Sequence, residues 1–459
     1  MTRARAQVRA RATTRLGAAE RRDYAGLHPY QRQGVDFLAS HESCLLADSM
    51  GLGKSVQTLR ALPRRPRVIL VCPASVLSVW QEQVERWRPD LRIDVDSGLR
   101  LPDPGEIVGV SYDSLPEPHR APSGLLRLLL EPTEDVWLVL DEVQYAKNGK
   151  AQRTQKVRVL RRQCGRCSGL SATPMEGYPE DLWGVLMTLG LHLVVFPGGW
   201  EEVVQLFGGR RRIVYDRRLK RRREAGYVWG RVDPEVNVRL REVMLRREQD
   251  DPSIRLQLPR VRRIDVPVAA PKDLRDMLDE VMGTAWEDVK PGDLPPFEVM
   301  SEARALLAES RVPAALEWVQ NADPRVPLLV FSAHLGPIDA VAGLRLGDRR
   351  VAKLTGATGN RERGELVRDF QAGKIGVLAM TIDAGGVGLN LTRAGAILFV
   401  DRDYTPSKNR QAEARAARQG NLLRRVDVFR MVSRHPLDLR LHEILDDKER
   451  LITGAVGGV

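Results

Sequence analysis

Short apolar runs alternate with stretches of helical spacing along much of the chain. Pro66 to Pro73 is a β-branched run closed by proline, the pattern of a strand buried on both faces of a parallel sheet. Glu106 to Tyr112 repeats it, and Val136 to Leu140 repeats it again before delivering Asp141 and Glu142. A further strand is expected to end at Gly169 to Pro174. Between these runs Ser75 to Trp87 has helical periodicity, and Tyr30, Val35, Phe37 and Leu38 mark a short helix ahead of Leu45-Leu46-Ala47. Strands alternating with helices predict a doubly wound α/β lobe with its site at the carboxyl ends of the strands. The pattern restarts at Pro327 to Ser332 and continues through Ile375 to Thr381 and Ala396 to Asp401, predicting a second α/β lobe.

Between the two patterns, Pro197 to Arg263 reads as a basic, helix-rich insertion, and Pro267 to Pro296 as a linker. The linker holds one short helix, Leu274 to Trp286, and a loop at Pro291 to Pro296. The expected organisation is therefore a basic arm over 1–25, lobe one over 26–195, and the insertion with the end of lobe one over 196–262. A linker with a helical segment follows over 263–324, and lobe two over 325–459.

Composition narrows the function classes. The chain has 459 residues, of which 43% are hydrophobic, and no run reaches the ~20 apolar residues of a membrane-spanning helix. A net charge of +12 and a sequence pI near 9.8 point to a polyanionic partner, most simply nucleic acid. The four cysteines, Cys44, Cys72, Cys164 and Cys167, do not make a disulfide framework and read as packed strand residues in a reducing compartment. Met1 to Arg22 is Arg-rich with no acid before Glu20, which fits an organellar transit peptide or a basic arm lying on phosphates.

The chemistry concentrates at Asp48-Ser49-Met50-Gly51-Leu52-Gly53-Lys54-Ser55, a strand end, a glycine turn and a helix start. Gly51 and Gly53 allow backbone N–H groups to face an anion. Lys54 adds a point charge at the β/γ-phosphates and Ser55 a hydroxyl for Mg²⁺. The helix N-terminus favours the same negative charge. Asp48 stands where a phosphate loop ordinarily begins with glycine. Asp141 can hold Mg²⁺ through the metal's water shell, and Glu142 can orient and deprotonate the attacking water. Gln31 can offer its amide to an adenine edge. Ser171 and Thr173 are small hydroxyl residues suited to sensing the γ-phosphate region. Arg210 to Arg212 and Arg217 to Arg223 form a dense cation run suited to DNA phosphates, to a partner's acidic face, or simply to solvent.

Taken together, these stretches and their order resemble the Swi/Snf-like family of helicase superfamily two, which are double-stranded-DNA translocase ATPases. The resemblance rests on Tyr30-Gln31, Asp48 to Ser55, Asp141 to Gln144, Ser171 to Pro174 and Met244 to Arg247 with Leu258-Pro259. It continues through Leu329 to Ser332, Thr355-Gly356, Arg363, Gly385 to Leu391 and Gln411 to Arg418, so it covers Leu27 to about Leu451. Phe196 to Trp229 and Gln411-Ala412-Glu413 look most like the annealing-helicase sub-branch. Gln144, where the family usually has His, and Tyr404, where it usually has Trp, are departures.

The resemblance implies two RecA-like lobes, parallel sheets flanked by helices, with a helical insertion between them. It implies ATP and Mg²⁺ as cofactors, with Lys54, Glu142, Arg415 and Arg418 as the catalytic set. Helical spacing over Gln411 to Arg418 would align Gln411, Arg415 and Arg418 on one face, with Arg418 the foremost candidate arginine finger. Nucleotide contacts are expected at Gln31, Asp48, Met50, Gly51, Leu52, Gly53, Lys54, Ser55 and Gly388, and metal contacts at Ser55 and Asp141. DNA contacts are expected at Ser75, Tyr112, Ser332, Thr355, Asn390, Arg211 and Arg221. The implied partner is duplex DNA held by its phosphate backbone, with a protein partner at the basic insertion as a second expectation and a monomer as the working unit. The location would be the nucleoid-associated cytoplasm in a microbial or viral source and the nucleus in a eukaryote. A nucleic-acid-binding scaffold with an inactive nucleotide site and a strand-separating helicase remain alternatives.

Overall fold

The computed structural model describes residues 24–117, 133–216, 221–248, 251, 254, 259–269, 271, 274–282, 297–385, 389–418, 420–423 and 425–457. The basic arm up to Arg22, the Pro291 to Pro296 loop and Gly388 lie outside these. The chain divides into two units, one running to Arg255 and resuming at Arg450, the other spanning Leu256–Glu449.

The first unit carries a seven-stranded sheet. Its strands are β1 (Ser43–Leu46), β2 (Arg67–Cys72), β3 (Arg92–Asp94), β4 (Glu106–Ser111), β5 (Thr133–Asp141), β6 (Cys164–Leu170) and, distant in sequence from β1, its neighbour β9 (Met244–Leu245). The order is β3-β4-β2-β5-β6-β1-β9 and every pairing is parallel. Residues alternate between two cores because successive strand side chains point to opposite faces. Leu45, Ile69, Val71, Leu138 and Leu140 enter one core, and Leu46, Val68, Leu70, Trp137 and Val139 the other. This two-sided burial is why the strands read as continuous apolar runs. Helices Pro29–Ser40, Lys54–Ala61, Leu77–Trp87, Gln152–Gln163 and Pro179–Leu189 flank the sheet. All four cysteines are buried and free.

The insertion is helical at both ends, over Trp200–Leu206 and Pro234–Leu240, but its cation run is not. The described residues of the run pair as an antiparallel hairpin of β7 (Arg210–Asp216) and β8 (Arg221–Val228). The insertion expected to be helix-rich therefore carries a strand hairpin in its middle. The hairpin's base explains the choice: Trp200, Tyr227 and Trp229 form an aromatic cluster, with Tyr227 and Trp229 stacked at 5.1 Å and Trp200 edge-on to both. Phe207 and Trp183 join it to the lobe-one core. Such a socket rewards the strand geometry that brings Tyr227 and Trp229 back to Trp200.

The second unit carries a six-stranded parallel sheet of β10 (Arg260–Val268), β11 (Leu328–Ser332), β12 (Val351–Leu354), β13 (Val377–Thr381), β14 (Ala396–Phe399) and β15 (Arg425–Ser433), in the order β10-β15-β14-β11-β13-β12. The same alternation divides Leu329, Phe331, Ile397 and Phe399 from Leu328, Val330, Ala396 and Leu398. Both units are thus parallel sheets flanked by helices, the RecA-like arrangement. Of the expected linker helix, Leu274–Met282 is described.

Candidate nucleotide site

β1 hands the chain to the phosphate loop, β5 ends on Asp141, and β6 ends just before Ser171. In the sheet order β5, β6 and β1 are neighbours, so these three carboxyl ends lie side by side. Gly51 (φ +82°) and Gly53 (φ +79°) both sit in the left-handed region, which costs a glycine almost nothing and an L side chain about 1 kcal/mol or more. A Cβ on Gly53 would lie 2.6 Å from Gln31 Nε2 and 2.9 Å from Val56 Cγ1, so a side chain there would have to displace both. Helix Lys54–Ala61 starts directly after it.

Lys54 Nζ donates to the Asp48 carbonyl at 2.9 Å. Burial pulls its ammonium below the usual lysine range, while Glu142, Asp48 and Asp141 oppose that pull by their charge. The cation and both acids of the β5 end therefore belong to one electrostatic cluster. Ser55 follows on the same helix turn, half-buried.

Asp141 is pushed up to about 6, first by burial and then by the neighbouring Glu142 charge. The Trp80 indole donates to its Oδ2 at 2.8 Å and the Glu142 amide to its Oδ1 at 3.0 Å, both favouring the ionised form. Each oxygen keeps a lone pair beyond these contacts, a hard oxygen donor of the kind that suits Mg²⁺. Glu142 itself has φ +52° and ψ +52°, a left-handed backbone in a non-glycine residue. Such strain costs about 1–3 kcal/mol and clusters at working sites. Here it turns the chain abruptly after the strand. Gln144 Nε2 donates to Glu142 Oε2 at 2.6 Å and fixes the carboxylate's orientation, while Gln144 Oε1 is buried without a hydrogen-bond partner among the described residues.

Several expected contacts are corrected. The Asp48 side chain is fully buried and held by Arg247 and Gln57, so it supports the loop from beneath rather than touching a nucleotide. Tyr112 is 1% exposed and its hydroxyl donates to the Asp141 carbonyl at 2.9 Å, which makes it a brace for the acidic strand end rather than a DNA contact. Ser332 is likewise buried, with its hydroxyl committed to Asp401. Thr355 is nearly as enclosed, at the end of β12. Ser75, Asn390 and Arg211 are exposed, and Arg221 lies on β8. Gln31 is buried, accepting from the His28 amide, donating to the Leu52 carbonyl and bonded also to the Tyr30 side chain. Met50 and Leu52 lie within the loop; the Leu52 carbonyl also accepts from Tyr30 and Gln57.

In the second unit the helix Pro406–Glu413 stops short of the arginine pair, which corrects the single helical face expected over Gln411 to Arg418. The chain tightens there into turns, with the Arg415 amide bonded to Ala412 and that of Arg418 to Ala416. Tightening brings both guanidiniums to one carbonyl: Arg415 Nη1 and Arg418 Nη1 donate to Leu389 at 3.3 and 3.4 Å. Burial lowers the Arg418 guanidinium from its ordinary range. The arginine turn and the segment Leu389–Asn390 are thereby one local structure.

Arg246, Arg247, Gln57 and Trp80 were not among the expected functional residues. The Arg246-Arg247 pair at the end of lobe one was the available signal, since two adjacent arginines after an apolar strand need buried acceptors if they stay near the sheet.

A family model described as SNF2-related domain matches residues 30–207, and one described as Helicase conserved C-terminal domain matches 314–420. Among curated relatives, "DNA annealing helicase and endonuclease ZRANB3" of Homo sapiens is 25% identical over 95% of this chain and 41% of its own length. "Putative ATP-dependent helicase/translocase YwqA" of Bacillus subtilis is 26% identical over 93% of this chain and 48% of its own. A solved structure, "Sulfolobus solfataricus SWI2/SNF2 ATPase core in complex with dsDNA", aligns over 96% of both chains at 20% identity with a TM-score of 0.43. The chain spans between two fifths and three fifths of the length of the curated relatives it matches.

Proposed function

Because the chain belongs to the SNF2-related family of helicase-like ATPases, we propose that it hydrolyses ATP in a DNA-stimulated reaction and uses the cycle to move along duplex DNA. The observation that carries this reading is the clustering of Lys54 with Asp141 and Glu142 beside a loop bent by two left-handed glycines. A cation and oriented amides suit the phosphates, and an acid with a fixed carboxylate suits a water nucleophile. Mg²⁺, held by Ser55 and Asp141, would neutralise phosphate charge. Glu142, oriented by Gln144, takes the proton of the attacking water. Arg415 and Arg418 are the proposed fingers for charge on the transferred phosphoryl group, an effect worth about 10³–10⁵ in rate.

Contacts to DNA are mainly to phosphates, so sequence preference is low and salt dependence steep. Exposed Ser75, Asn390 and Arg211, with Arg221 on β8, are the proposed contacts that remain. Triplex displacement run beside strand displacement tests the motor. ATP-dependent release of a third strand without unwinding of the duplex supports translocation. Unwinding of the duplex would identify a strand-separating helicase, and neither activity, with no ATP turnover, a binding scaffold.

A further inference from the structure

We infer that Arg246 and Arg247 are positioning residues for the nucleotide loop, acting through Asp48 and the neighbouring carbonyls, and that they tie the loop's geometry to the segment leading out of the first unit. The inference rests on the reading of residues 48–55 as the nucleotide loop.

Arg247 is buried at 6% exposure and grips Asp48 with a two-pronged contact, Nε to Oδ1 at 2.9 Å and Nη2 to Oδ2 at 2.5 Å. Nη2 also donates to Gln57 Oε1 at 2.8 Å, and Nη1 to the Tyr30 carbonyl. Gln57 closes the circuit by donating to Asp48 Oδ2 at 3.0 Å and to the Leu52 carbonyl at 3.1 Å, inside the loop. Arg246 performs a second clasp. Its Nη1 donates at 3.0 Å to the carbonyls of both Ala47 and Ala172, joining the start of the phosphate loop to the Ser171–Pro174 turn. The backbone repeats the linkage, with the Ser49 amide bonded to the Arg247 carbonyl at 2.9 Å and the Ala47 amide to that of Leu245 at 2.7 Å.

A buried, fully hydrogen-bonded ion pair contributes little net stability compared with apolar packing but fixes one arrangement, because every alternative leaves a charge unpaired. The fixed arrangement here is the base of the loop. Gly34 shows how closely it is built. A Cβ at this helical position would lie 1.7 Å from Gln57 Oε1 and 2.9 Å from Arg247 Nη2. The clasp residues stand immediately before the passage to the second unit, which begins at Leu256. Nucleotide that orders the loop should therefore order residues 243–248 as well.

Hydrogen exchange of the full chain, with and without a non-hydrolysable ATP analogue and Mg²⁺, tests this together with ATPase kinetics. In the wild type, exchange slows both at 50–57 and at 243–248. In Arg247→Lys, which keeps the charge but removes the fork, slowing at 50–57 persists at higher analogue concentration. Slowing at 243–248 disappears, and KM rises fivefold or more with kcat within about twofold. Gly34→Ala, which displaces Gln57 without touching any group assigned to nucleotide, reproduces the KM effect and keeps the test open should Arg247→Lys fail to fold. Slowing at 50–57 alone in the wild type, or an unchanged KM in whichever variants fold, overturns the inference. No slowing at 50–57 overturns the nucleotide reading, and the inference with it.

Discussion

Asp141 shows how one residue's environment sets both chemistry and stability. Its carboxyl is raised to about 6, chiefly by burial, so the ionised form that binds a cation dominates only above that pH. Mg²⁺ affinity of the nucleotide-free protein should fall about tenfold per unit as pH drops below 6; titration calorimetry giving a flat profile from pH 5 to 7 would contradict this. Between the ordinary value of 3.8 and about 6 the native state binds the proton more tightly than the unfolded chain, so acidification through that window stabilises the fold through this group. Asp141→Asn, neutral at every pH, should therefore raise stability at pH 7 by roughly 3 kcal/mol while abolishing turnover, as thermal melting and phosphate release would report. Lys54, Asp141 and Glu142 are legible in the sequence because each sits where a local pattern changes, from strand to turn to helix. The role of Asp48 is not, because its partner Arg247 is 199 residues away, a pairing made only by the placement of β9 beside β1.

At the scale of elements, the parallel strands are readable because both faces are buried, leaving an uninterrupted apolar run. The Arg-rich hairpin is not, because cation-rich strands carry no apolar period and the deciding contacts come from Trp200 and Trp229 outside the run. The turn that carries Arg415 and Arg418 is hidden for a related reason. Its Gln-Ala-Glu-Ala-Arg composition favours helix, yet both arginines donate to the Leu389 carbonyl instead. Residues 210–228 hold nine cationic side chains against two acidic ones, a net +7 within the chain's +12. Serine at Arg210, Arg211 and Arg212 should weaken duplex binding and lower the slope of log affinity against log salt by ~0.9 for each phosphate that these side chains no longer neutralise. Weakened binding with an unchanged slope would remove the hairpin from the DNA-binding surface.

For the whole molecule, the return of the chain to its first unit is the feature with a direct stability consequence. The helix Pro436–Val456 contributes Leu451, Ile452, Ala455 and Val456 to the lobe-one core, and Asn237 Nδ2 donates to the carbonyls of Ala455 and Gly457. Truncation after Glu449 should cost the first unit more than ~3 kcal/mol, given about 1.5–3 kcal/mol per large apolar side chain buried. Chemical denaturation of the truncated chain would measure it, and an unchanged midpoint would show these residues to be dispensable. The two-lobe organisation is legible because the α/β pattern halts at the insertion and restarts at Leu328. The resumption of unit one at Arg450 is not, since amphipathic helix spacing does not name the core it enters. The central claim is that this α/β architecture turns over ATP when DNA is bound, and it is tested most directly by phosphate release with and without linear duplex DNA. The account predicts release that rises at least tenfold with duplex, disappears in Lys54→Ala, and falls at least a hundredfold in Arg418→Ala with ATP binding retained. Equal release with and without duplex, or turnover that survives Lys54→Ala, would contradict it.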